Sequence, residues 1–151
     1  MIGDRVLIVA VIAVNMASWG FAYENNNDEE LSKYQHLWNT VNISDYSYVY
    51  TRKCFCSSEY TQAMRIYVKQ EKIIRAEYMS GKQSMPNEIR QQLLTIKEWF
   101  GEIQKASNSE YGSVRVSYDE VLGYPVDINI DPHQRRADDE YSVTISDVIY
   151  P

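Results

Sequence analysis

The sequence predicts an α+β domain, a small antiparallel β-sheet of five to six strands packed against one or two helices. Three patterns predict it. Tyr46 to Cys54 alternates strictly, with Tyr46, Tyr48, Tyr50 and Arg52 on one side and Val49 and Thr51 on the other. That is the period-two pattern of a strand rich in aromatic and β-branched residues. Between Pro86 and Ala106, the positions Ile89, Leu93, Ile96, Phe100 and Ile103 mark one apolar helical stripe. The order of elements, a helix and three strands followed by a helix and three strands, belongs to an antiparallel α+β domain.

The chain opens on a segment read as an address. Met1 to Ala22 has the layout of a secretory signal peptide: Arg5 near the start beside Asp4, an apolar run from Val6 to Val14, then a small-residue stretch ending Gly20-Phe21-Ala22. The run is shorter than the roughly 20 residues a membrane-spanning helix needs, so cleavage before Tyr23 is expected, and no membrane span in the mature chain. Residues 23–30 are polar and acidic and are expected as a flexible lead-in, with residues 31–151 as one domain. Leu31, Tyr34, Leu37, Trp38 and Val41 then recur at helical spacing.

After the strand at Tyr46–Cys54, Ala63 to Val68 and Ile73 to Tyr78 flank Lys69-Gln70-Glu71-Lys72 as a hairpin. Inside the apolar stripe, Thr95-Ile96-Lys97-Glu98 has capping-box spacing, so either one long helix runs through or, as the box favours slightly, a short helix ends near Leu94 and a second starts at Thr95. A loop at Ser107 to Gly112 leads to strands at Val114–Tyr118, Val126–Ile130 and Tyr141–Ile149. Gly123-Tyr124-Pro125 reads as a structural turn: Gly permits a positive φ, and Pro fixes the approach to the next strand. Trp38, Trp99 and Phe100 are expected as core anchors.

Composition narrows the function. A net charge of -6 over 151 residues argues against nucleic-acid binding, which needs a basic footprint. Tyrosine is in excess, 13 against 3 Phe and 3 Trp. Its ring packs while its hydroxyl stays wet, which suits a sheet with one solvated face or an adhesive surface. Tyr46, Tyr48 and Tyr50 are therefore a candidate surface for a partner protein of the cell envelope, tyrosine being enriched at interfaces.

Three motifs follow in order: Cys54-Phe55-Cys56, Tyr118-Asp119, and Gly123-Tyr124-Pro125 leading to Ile130-Asp131, with the acidic Asp138-Asp139-Glu140 after them. Together they resemble an exported bacterial family, domain of unknown function 6174, over roughly residues 38–148. The resemblance implies a bacterial, exported origin and brings no activity with it.

Cys54 and Cys56 are the only cysteines, and export would place them in an oxidising compartment, where a mutual disulfide is the default. Residues i and i+2 of an ideal strand lie about 6.6 Å apart, so the chain must bulge or turn at Phe55 to join them. A redox pair is the alternative, with Arg52 and Lys53 favouring a thiolate, although no C-x-x-C spacing is present. A zinc site lacks ligands, since His36 and His133 have no matching spacing. Asp119, Glu120, Asp127, Asp131, Asp138, Asp139 and Glu140 form an acidic set that is a candidate for calcium, against which Arg135 and Arg136 interrupt the segment. Sequence signatures of catalysis are missing, although a pair such as Asp119 and Asp127 could serve as acid and base. The reading is a periplasmic or extracellular, non-catalytic binding protein with no cofactor. A secreted enzyme or inhibitor and a calcium-stabilised module are the alternatives.

Overall fold

The computed structural model describes residues 26–81, 84–110 and 112–151. In chain order the elements are α1 (Asn26–Val41), β1 (Tyr46–Cys54), α2 (Ser58–Thr61), β2 (Met64–Lys69), β3 (Lys72–Tyr78), α3 (Asn87–Arg90), α4 (Ile96–Ser107), β4 (Ser113–Tyr118), β5 (Pro125–Asp131) and β6 (Tyr141–Ile149). The six strands form one antiparallel sheet in the order β3-β2-β1-β6-β5-β4. Two three-stranded meanders are thus joined through their first and last strands. The expected α+β class holds.

The turn chemistry foreseen in the sequence explains most boundaries. Lys69 pairs with Lys72, leaving Gln70 and Glu71 as a two-residue hairpin loop, both at positive φ. This is the turn whose twist matches that of the flanking strands. The helix expected from Leu31 starts at Asn26, so residues 26–30 of the anticipated lead-in are its first turns; Asp28 and Glu29 suit the positive end of the helix dipole. Residues 1–25, which include the expected signal peptide, lie outside the described residues. The short α2 carries too few residues to leave a periodic trace in the sequence.

One face of the sheet is packed. Ile66, Val68, Ala76, Tyr78, Ile128, Ile130, Val143 and Ile145 from the strands meet Leu31 and Trp38 of α1 and Ile96, Trp99, Phe100 and Ile103 of α4 in a single apolar cluster. Tyr118 is held in a ring stack between Tyr34 of α1, at 4.5 Å between centroids, and Phe100 of α4, at 6.2 Å. The Gly123 turn brings α1 down onto this layer. A Cβ on Gly123 would stand 2.6 Å from the Tyr34 carbonyl oxygen and 2.9 Å from the Trp38 nitrogen, and its φ of +85° suits glycine. Tyr124 packs edge-on against Trp38 and Pro125 is fully buried.

The apolar stripe breaks as its capping box predicts. Thr95 caps α4: the Glu98 N–H donates to Thr95 Oγ1 at 3.2 Å, and the Thr95 N–H donates to Glu98 Oε2 at 2.7 Å. Thr95 is only 2% exposed, so the break is inside the protein. Two tyrosines of β1 complete its polar bonding. Tyr46 Oη accepts from the Ile96 N–H at 3.0 Å, and Tyr48 Oη donates to the Leu94 carbonyl.

This corrects the expectation for the tyrosine face. Tyr46, Tyr48 and Tyr50 are 6%, 0% and 5% exposed, so they form the inner side of the sheet and offer no binding surface. The alternation was real, but its aromatic side faces the helices, because the buried break needs hydroxyls that phenylalanine lacks.

The pairing of both edge strands is interrupted by register shifts, with an extra residue on β3 opposite Tyr67/Val68 and one on β5 opposite Ser117/Tyr118 of β4. Such bulges, with Lys72 and Arg75 on β3, discourage pairing of the edges with other chains.

Two predictions follow from the buried break. Tyr46→Phe and Tyr48→Phe should each cost roughly 1–3 kcal/mol, the penalty for a buried polar group left without a partner. Urea unfolding checks this, and an unchanged midpoint would show that the hydroxyls do not hold the junction. Alkali should unfold the domain through the same groups. Burial pushes the Tyr46 phenol up to about 12, the Ile96 bond lowering it only in part, and burial raises Tyr48 and Tyr118 as well. The folded state keeps these phenols protonated, whereas in the unfolded chain they ionise near 10, so their stabilisation is whole below about pH 10 and is lost as pH rises through about 12. Urea midpoints measured from pH 8 to 12 should be flat at first and then fall, and a midpoint that held at the alkaline end would contradict it.

Candidate functional site

β1 ends at Cys54, and the chain bends over Phe55 and Cys56. The sulfurs of these two cysteines are in disulfide-like contact, with Cα atoms 5.3 Å apart. That is shorter than the i to i+2 spacing of an extended strand, so the turn expected at Phe55 is present. Phe55 itself stands 84% exposed at the tip.

The strand registers place Phe55 beside an ordered array. Lys53 pairs with Ser142, Ser142 with Asn129, and Asn129 with Arg115. All four lie opposite the packed side, since their neighbours Val143, Ile128, Ile130 and Val114 are buried. Two residues further along, Asp131 pairs with Ser113, while Phe55 and Glu140 follow and precede the Cys54–Tyr141 pair that ends the β1–β6 ladder. Those eight residues line one shallow cleft of about 330 Å³, together with Cys54, Ile130 and Tyr141. Its floor is the outer face of β1, β6, β5 and β4. Neighbouring strands are about 4.8 Å apart, so Lys53 and Arg115 mark the ends of a row about 14 Å long.

Among the described residues neither Lys53 nor Arg115 makes an ion pair. The charged groups at the far side of the outer face instead satisfy one another. Arg75 pairs with Glu77 and lies over the Tyr67 ring at 5.0 Å, while Tyr67 Oη donates to Glu77 at 2.8 Å. The Arg75 and Tyr67 bonds hold the Glu77 carboxyl below its ordinary range, and the Glu77 bond raises the Tyr67 phenol.

A family model matches residues 30–150, that of a family of unknown function, DUF6174. The chain belongs to this family. No curated protein and no solved structure matches the chain.

Of the motifs that pointed to DUF6174, most are explained by packing. Tyr118 is the stacked ring of the inner layer, and Asp119 holds the following turn, its Oδ1 accepting from the Val121 and Leu122 N–H groups at 3.0 and 2.7 Å. Gly123, Tyr124 and Pro125 dock α1, as expected of a structural turn. Ile130 is core. Packing leaves Phe55 and Asp131 over, and both line the cleft.

The acidic residues proposed for calcium are dispersed. Asp119 is spent in its turn and Asp127 lies on the outer side of β5 opposite Thr144 and Ser117. Asp138 adopts a positive φ in the β5–β6 loop. Asp139 faces His133 Nδ1 at 3.2 Å and Arg136 at 3.9 Å. Only Asp131 and Glu140 share the cleft, and Asp131 Oδ1 accepts from the His133 N–H at 3.0 Å. Among the described residues no three acidic, histidine or cysteine side chains form a group that could hold a metal ion. The acid–base pair suggested by Asp119 and Asp127 is likewise not assembled, because the two are committed to a turn and to the open sheet face. None of the helices in the described residues is long and apolar enough to cross a membrane. Lys53, Asn129, Arg115 and Ser142 were missed in the sequence, where they are scattered over ninety positions and only the strand order unites them.

Proposed function

We propose that this DUF6174 protein is an exported, non-catalytic binding protein of the bacterial cell envelope, and that it binds through the Phe55 cleft. The observation that carries the reading is an aromatic ring left 84% exposed in a cleft with Lys53 and Arg115, two cations that make no ion pair among the described residues. Phe55 is the most exposed of the large apolar side chains among the described residues. The leader-like residues 1–22 and the sulfur contact of Cys54 and Cys56 support export to an oxidising compartment.

A second reading is a secreted enzyme. Asp131 and Glu140 both line the cleft, and two carboxylates in one cleft can share acid and base roles. The adjacent Asp131–His133 turn bond gives one of them a structural task already, which favours the binding reading.

Two measurements test the proposal. The native protein should begin at Tyr23 and carry both sulfurs oxidised; an intact Met1 with free thiols in the cytosol would overturn export. Photoreactive p-benzoylphenylalanine in place of Phe55 should crosslink envelope material in living cells, whereas the same group in place of the exposed Gln104 on α4 should not. Equal yields at both positions, or none at Phe55, would remove the cleft from the function.

A further inference from the structure

We infer that the occupant of the Phe55 cleft is a saccharide, a proposal that rests on the cleft being the binding site. The side chains point to this chemistry. The cleft holds two cations, Lys53 and Arg115, and two carboxylates, Asp131 and Glu140, so its charges balance and it does not select strongly for a net ion. What remains is a field of hydrogen-bonding groups with planar ends. The Asn129 amide, the Asp131 and Glu140 carboxylates and the Arg115 guanidinium each offer paired donors or acceptors that can span two adjacent hydroxyls of a sugar ring, with Ser113 and Ser142 between them. Phe55 supplies the other half of sugar recognition, a flat ring whose negative face receives the C–H side of a pyranose.

The floor also disfavours an extended peptide. Three of its four strands, β1, β6 and β5, have neighbours on both sides, so their backbone groups are already paired within the sheet and cannot accept an added strand. A shallow cleft of about 330 Å³, with a row about 14 Å long, suits a short run of linked rings lying flat.

The experiment is an amide NMR titration of the isotope-labelled mature chain, with its sulfurs paired, against chitotetraose, maltotetraose and a tetragalacturonate, and separately against a short zwitterionic peptide of lysine and glutamate. At least one saccharide should shift the amides of Phe55, Asn129 and Ser142. Phe55→Ala should weaken that binding about tenfold while Phe55→Trp retains it. Phe55 is too exposed for its truncation to open the core, and Asn129→Ala gives an independent second test of the same site. Shifts in these amides with the peptide and with none of the sugars would overturn the ligand class and leave the cleft standing. No shift there with any probe, or sugar shifts confined to the helical side, would overturn both. Cleavage of the bound sugar would uphold the ligand class and overturn the non-catalytic reading.

Discussion

The structure depends on a helix start buried in the middle of its core. A helix begins with backbone N–H groups that have no partner of their own, and most proteins leave that end in water. Here the Leu94–Ile96 junction is covered, and its polar atoms are satisfied from two directions: within the helix by the Thr95–Glu98 box, and from the sheet by Tyr46 and Tyr48. The arrangement fixes the distance and rotation of α4 over β1, because two hydroxyls one strand-repeat apart must meet two backbone groups on either side of Thr95. It also accounts for part of the tyrosine surplus. These residues are core aromatics selected for an oxygen at the tip.

Once β1 faces inward with its tyrosines, the rest of the sheet is constrained. The neighbouring strands must present Ile66, Val143, Ile145 and Ile128 to the same side, and the alternate residues are left for the outer face. Joining the meanders through β1 and β6 then decides what lies together there. Lys53, at the end of the first strand, comes beside Ser142 at the start of the last, and the row continues to Asn129 and Arg115. Stability is concentrated on one side of the sheet and chemical variety on the other.

Much of this was legible in the sequence, and the reasons for the remainder are specific. The limits of β1 and β6, the Gln70–Glu71 hairpin and the break before Thr95 could be read because each has a local cause, in alternation, turn chemistry or capping. Which side of β1 faces the core could not, since tyrosine is acceptable on either, and the deciding partners, Leu94 and Ile96, are some fifty residues away. The acidic set looked like a cation site because it was judged by nearness along the chain, whereas in space Asp119 and Asp139 are drawn off by a turn and by His133. The cleft was invisible for the complementary reason. Its residues come from four strands whose order, 3-2-1-6-5-4, no local pattern encodes.

The Cys54–Cys56 link has to be understood in the same terms. A crosslink spanning a single intervening residue closes so small a loop that it removes little entropy from the unfolded chain, and it contributes little to stability by that route. Its effect is local. With the two Cα atoms 5.3 Å apart the chain bends over one residue, and the side chain of that residue stands exposed. An aromatic ring on a free loop would collapse onto the nearest apolar surface and would have to be ordered again at each binding event. On the proposed binding reading, holding it out in advance reduces that cost.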